Sequence, residues 1–168
     1  LKMYLRKFNF LYLREKISFN MVKELKLNIY NKCLGDDAIL FLPIFNMIKA
    51  KYNQDVLNKQ VVGFNLKDFQ DHNYDKIRDT IDDVLKLIND KGYFIEYFSL
   101  GQSPGPDDYS SLLKLKLDNT KYIAIIHNPY EEGMAKYLEN LSKVKLGIGF
   151  AYHFNVMLAI MSIPSICV

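Results

Sequence analysis

Val61-Val62-Gly63-Phe64-Asn65-Leu66, a charged segment from Tyr74 to Asn89, and Tyr93-Phe94-Ile95-Glu96-Tyr97-Phe98 follow one another, and this succession decides the fold. The first run is short and apolar and ends at Lys67-Asp68, as a buried strand does. The middle segment spaces Ile77, Ile81, Val84, Leu85 and Ile88 along one stripe of a charged helix, which Lys91-Gly92 stops. The third run is a second strand. A strand, a helix and a strand in that order predict a parallel pair joined by a crossover.

The pattern continues towards the C-terminus. After the loop Ser99 to Pro106, Asp107 and Asp108 suit the start of a short helix through about Leu117, where carboxylates meet free backbone N–H groups. Lys121 to Ile126 is a third strand, ended by His127-Asn128-Pro129, and a helix from about Tyr130 to Ser142 opens on Glu131 and Glu132. Lys145 to Gly149 is a fourth strand. Tyr152 to Met161 is apolar nearly all round, which predicts a buried helix, and Pro164 precedes a last strand, Ser165 to Val168. The fold class is therefore α/β, a Rossmann-like parallel sheet with helices on both faces.

Upstream the chain is less regular. Phe8 to Leu13 reads as a strand and Glu15 to Leu25 as a helix; Asp36 to Pro43 is a turn followed by an apolar segment. Ile44 to Lys51 fits a short helix or a loop. The Lys-, Asn- and Gln-rich stretch Lys49 to Gln60 reads as a linker, so the predicted division is 1–60 and 61–168.

The 168 residues are 49% apolar and carry a net charge of +3, which excludes a disordered chain. Basic and acidic residues alternate rather than cluster, so no nucleic acid is expected as a partner. No run reaches the length of a membrane span. Cys33 and Cys167 stand far apart with no CxxC, which points to a reducing, cytoplasmic setting. The opening Leu1-Lys2-Met3-Tyr4 does not resemble a signal peptide and reads as the interior of something longer.

In an open parallel sheet, ligands bind beyond the carboxyl ends of the strands. That rule selects Asn65, Lys67 and Asp68, then Ser99 and Gln102, His127 and Asn128, and Gly149 to His153. Gly147 and Gly149 would let backbone approach a ligand, and the helix that follows would offer N–H groups to an anion. The third glycine of a dinucleotide fingerprint is missing and no phosphate-binding GxxxxGK[ST] loop exists, so nucleotide cofactors are disfavoured. His153 reads either as a core histidine bonded to a carbonyl or as a donor to an anionic or carbonyl substrate. His72 among Asp68, Asp71 and Asp75 reads as solvated surface rather than a metal site. Arg14, ahead of Glu15 and Ser18, either pairs with a neighbouring acid or acts as a bidentate anion clamp. Asp36 and Asp37 read as a turn rather than an acid–base pair.

Several of these segments together resemble the polysaccharide pyruvyl transferase family. Arg14, Glu15 and Ser18 match an Arg-Asp/Glu-x-x-Ser element, and Leu34 to Leu42 its acidic segment. Ile148-Gly149-Phe150-Ala151-Tyr152-His153 is similar to an Ile-Gly-x-Arg-Leu-His element, and Ile163 to Val168 to an Ile-Pro-x-Ile-x-Val strand. Ala151 stands in the arginine position and Tyr152 in the leucine position; His153 alone carries over. The resemblance implies a GT-B-like fold, of which residues 61–168 would be most of the C-terminal half. It implies transfer of a pyruvyl group from phosphoenolpyruvate to a sugar as a ketal, with no metal or other cofactor. His153 would be catalytic, and Arg14, Asn65, Ser99, Gly149 and Tyr152 would bind substrate. The partners implied are a small-molecule donor and a glycan acceptor, with association at a membrane surface and the oligomeric state left open. The rival expectations are a GT-B glycosyltransferase using a sugar nucleotide, and a non-catalytic remnant of the same fold.

Overall fold

The computed structural model describes residues 2–35, 42–44, 47, 60–67, 74–101 and 108–168. The chain divides into two compact units, Leu1–Leu42 and Pro43–Val168. The first holds a short helix α1 (Lys2–Leu5), strand β1 (Phe10–Leu13), helix α2 (Lys16–Glu24) and strand β2 (Tyr30–Cys33). The strands pair in parallel with Phe10 opposite Tyr30, so α2 is their crossover. β2 was not expected, because Tyr-Asn-Lys-Cys has no apolar run; pairing with β1 rather than local pattern makes it a strand. Phe10, Tyr12 and Tyr30 form an exposed aromatic row, with ring centroids 5.5 and 6.4 Å apart.

The second unit is the α/β layer that the alternating pattern predicts. Its strands are β3 (Val61–Asn65), β4 (Phe94–Phe98), β5 (Ile123–His127), β6 (Leu146–Gly149) and β7 (Ser165–Cys167). All pairs are parallel, in the order β5-β4-β3-β6-β7. The central strand β3 is buried along its whole length, as a strand covered on both faces must be. The helices are α3 (Tyr74–Asp90), α4 (Asp108–Lys114), α5 (Pro129–Glu132), α6 (Met134–Leu141) and α7 (Tyr152–Ile160).

Strand alternation sorts the core into two clusters. Phe64, Ile95 and Tyr97 turn to one face and pack with Ile81 and Leu85 of α3 and Leu112 of α4. Val61 and Phe98 turn to the other and pack with Tyr137 and Leu141 of α6 and Phe154 and Leu158 of α7. Helices thus cover both faces. The helix expected over 130–142 is broken at Gly133, whose φ of 82° ends α5 and restarts the chain as α6. α4 stops earlier than expected and passes through Lys116, at φ 55°, into a short 3₁₀ turn. The apolar helix α7 buries one face only: Phe154, Met157 and Leu158 are covered while Tyr152 and His153 are exposed.

Gly147 and Gly149 are what let α7 lie on β6. A Cβ at Gly149 would sit 2.5 Å from Phe154 Cδ1 and 2.6 Å from Asn155 Oδ1, and one at Gly147 would collide with the Leu158 side chain. The glycine pair therefore admits a helix, a different use from the approach to a ligand that sequence reasoning gave it. Gly149→Ala is expected to destabilise the fold by roughly 1–3 kcal/mol, the usual cost of overpacking. Gly63→Ala, whose Cβ meets the Val144 methyls at 3.1 Å, should cost less. Chemical denaturation of both variants checks the ranking; equal stability of Gly149→Ala and the parent would refute it.

Candidate functional site at the switch point of the sheet

The strand order reverses beside β3: β4 and β5 lie on one side, β6 and β7 on the other. Such a reversal leaves a crevice beyond the carboxyl ends of the flanking strands. Asn65 closes β3 opposite Gly149 of β6, and its side chain spans this crevice. Its Oδ1 accepts the Ala151 N–H at 3.0 Å, while the main-chain oxygen accepts the Phe150 N–H at 3.2 Å. Its Nδ2 donates to the Phe98 carbonyl at 2.7 Å and to Asp108 Oδ2 at 2.8 Å. Asn65 is wholly buried, with each side-chain polar atom paired.

Asp108 gathers the neighbouring chain. Besides Asn65, its carboxylate accepts from Ser99 Oγ at 2.9 Å and from the Leu100 and Gly101 N–H groups at 2.7 and 2.6 Å. Its own carbonyl accepts the Tyr97 hydroxyl at 2.6 Å. These donors carry no charge, so the buried carboxylate is stabilised by hydrogen bonds, each stronger than a neutral one because the acceptor is ionised. The sequence places Asp108 correctly at the start of a helix, but its side chain clasps the β4 loop.

Beyond this clasp lies an open groove of about 620 Å³. Lys67, just past β3, lines it together with Phe150, Ala151 and Tyr152. Asn155 and Val156 of α7 and Cys167 of β7 complete it. α7 begins here with Ala151 at its N-cap and no side-chain cap, so the positive end of its dipole faces the same region. His153 is exposed in the first turn, its ring 5.3 Å from that of Tyr152 in an edge-on arrangement. An exposed His153 does not match the core-histidine alternative.

The structure brings Asn65, Ser99, Gly149, Tyr152 and His153 to one end of the sheet. Asn65 and Ser99 are there as buried struts, with their polar atoms bonded inside the protein. Arg14 belongs to the first unit, where its guanidinium pairs with Glu15 at 2.8 Å. Asp36 and Asp37, Gln102, and Asp68, Asp71 and His72 lie outside the described residues. Among the described residues no three His, Cys, Asp or Glu side chains are grouped to hold a metal. No helix is long and apolar enough to cross a membrane among them.

Sequence reasoning picked His127 at a strand end but missed the polar cluster around it. His127 is buried against Phe98, rings stacked 4.6 Å apart; its Nε2 lies 2.8 Å from Glu96 Oε2 and its Nδ1 3.2 Å from Glu132 Oε1. Asn140 of α6 bridges both, at 3.2 Å from His127 Nδ1 and 3.0 Å from Glu132 Oε2. Besides His127 itself, the signal for it was Glu96, a charge inside an otherwise apolar strand. His127 is thus a structural tie between β4, β5, α5 and α6 rather than a simple strand end.

Tyr137 is buried between these two clusters, and its hydroxyl has no hydrogen-bond partner among the described residues. Burial raises its pKa well above the ordinary value, and the carboxylates of Asp108 and Glu132 add to the rise. Below about pH 10 both folded and unfolded chains keep the phenol proton. Above it the unfolded chain ionises first, so stability falls as pH rises. Tyr137→Phe should therefore raise stability by about 1 kcal/mol at neutral pH, by removing an unsatisfied hydroxyl. It should also flatten part of the alkaline loss. Urea unfolding from pH 7 to 11 measures both; a lower stability for the variant at pH 7 would contradict the assignment.

The family model for polysaccharide pyruvyl transferase matches residues 1–168. Neither the curated proteins nor the solved structures give a significant match. The site lies at the switch point of a parallel sheet, the match runs the length of the chain, and the chain belongs to the polysaccharide pyruvyl transferase family.

Proposed function

We propose that this chain binds phosphoenolpyruvate in the groove beyond β3, β6 and β7 and transfers its pyruvyl group to two hydroxyls of a sugar in a polysaccharide. The supporting observation is the groove itself: it opens at the switch point, and α7 starts there with an uncapped N-terminus. The chemistry needs no redox partner. A proton is added to the donor's methylene carbon, one sugar hydroxyl bonds to C2, and the C2–O bond to phosphate breaks. The second hydroxyl then closes the ketal, so the two hydroxyl protons end on the new methyl group and on phosphate.

His153 serves as the acid at the methylene carbon or the leaving oxygen, and its exposed position in the first turn of α7 leaves it open to a ligand. Tyr152, exposed on the groove, offers a flat apolar face to a sugar ring. Gly149 holds the chain close beneath, and Asn65 and Ser99 act by fixing the loops rather than by touching substrate. In this reading residues 61–168 are the donor half of a GT-B-like protein. The protein works in the cytoplasm, without a metal, on a glycan bound for the surface.

Ala151 gives a second reading some support, because a methyl group at the groove's lip offers a donor no charge. In that case the chain keeps the sheet but not the chemistry, and Ala151→Arg would create donor binding absent from the parent. The deciding assay incubates the full-length protein with phosphoenolpyruvate and acceptor glycan and follows phosphate release and ketal formation. Activity should fall by roughly 10²–10⁴-fold in His153→Ala, the usual worth of a general acid. Stability should be unchanged within about 0.5 kcal/mol, as for other exposed positions. No phosphate release by the parent, or full activity in His153→Ala, would refute the reading.

A further inference from the structure

The groove carries one charged residue among the described residues that line it, Lys67. The rest of the wall is mainly apolar: Phe150, Tyr152, Val156 and Ala159. Lys67 is also held in place by its neighbours. Asn65 is locked by the bonds described above, and Leu66 is fully buried with its N–H 3.4 Å from the Tyr97 hydroxyl. Lys67 is thus the first exposed residue after a rigid strand end, and its stem leaves that end beside the groove. An ammonium on a concave, mainly apolar wall concentrates positive potential where a ligand would enter. As a compact point charge it suits a phosphate or carboxylate without requiring a bidentate geometry.

We propose that Lys67 is the residue that binds the charged end of the donor and makes the groove selective for a small acid with an anionic head and an apolar carbon body. This rests on the reading that the groove is the donor site. A volume near 620 Å³ accommodates such an acid with room for a sugar beside it.

Isothermal titration of the full chain with phosphoenolpyruvate, inorganic phosphate and UDP-glucose tests it, using Lys67→Gln, Lys67→Arg and Lys67→Glu. Lys67→Gln should weaken phosphoenolpyruvate binding roughly 10- to 100-fold, the loss of one charge-assisted contact. Lys67→Arg should keep it within about threefold and Lys67→Glu should abolish it. Unfolding midpoints should not move, because the residue is exposed. Unchanged binding in Lys67→Gln, or no binding by the parent, would overturn the assignment. Tighter, Lys67-dependent binding of UDP-glucose would overturn the choice of a small acid. Lys67-dependent binding of phosphoenolpyruvate without ketal formation would sink pyruvyl transfer yet support the anion site. Ketal formation undiminished in Lys67→Gln would do the reverse.

Discussion

A carboxylate buried away from water is costly unless donors surround it, and Asp108 shows how this chain meets that cost. Its two oxygens accept from Asn65, Ser99 and the amides of Leu100 and Gly101. Through Asn65 the same network reaches Phe98 of β4 and Ala151 ahead of α7. One acidic side chain thereby ties the ends of β3 and β4 to the N-terminus of α4 and, across the switch point, to the start of α7. Removing the carboxylate would leave several buried donors unsatisfied at once, so the geometry of the groove and the stability of the sheet are linked.

Two further constraints shape what lies beyond that clasp. The glycines of β6 bring α7 down onto the sheet, which sets the first turn of the helix, with Tyr152 and His153, at the carboxyl end of β6. Lys67 emerges from a buried strand end whose Asn65 and Leu66 are hydrogen-bonded within the protein. The groove thus sets the exposed side chains of Lys67 and Tyr152 on well-packed supports.

The parallel layer was legible because Val61–Leu66 and Tyr93–Phe98 are apolar runs around a helix with a clean stripe, patterns that burial on both faces demands. β2 was not legible, since Tyr-Asn-Lys-Cys owes its strand to a partner distant in sequence. The break at Gly133 follows from a positive φ that a single glycine in a helical pattern does not announce. At the strand ends, the sequence rule named Asn65, Ser99, Gly149 and Tyr152, and the structure has all four at one end of the sheet. The rule could not tell struts from ligand contacts, because that depends on where each polar atom finds its partner. Asp108 and Tyr137 stayed hidden for the same reason: their surroundings come from elements far apart in the chain. His153 was picked by the strand-end rule, but whether it lay in the core or at the surface depended on the packing of α7.

The claim that a small anionic donor sits beyond β3, β6 and β7 is tested most directly by following backbone amide resonances while phosphoenolpyruvate is added. Shifts concentrated at Lys67, Phe150 to Asn155 and Cys167, with little change along β5, are the expected result. Saturable shifts centred on Glu96, His127 and Glu132 instead, or none at millimolar donor, would contradict it.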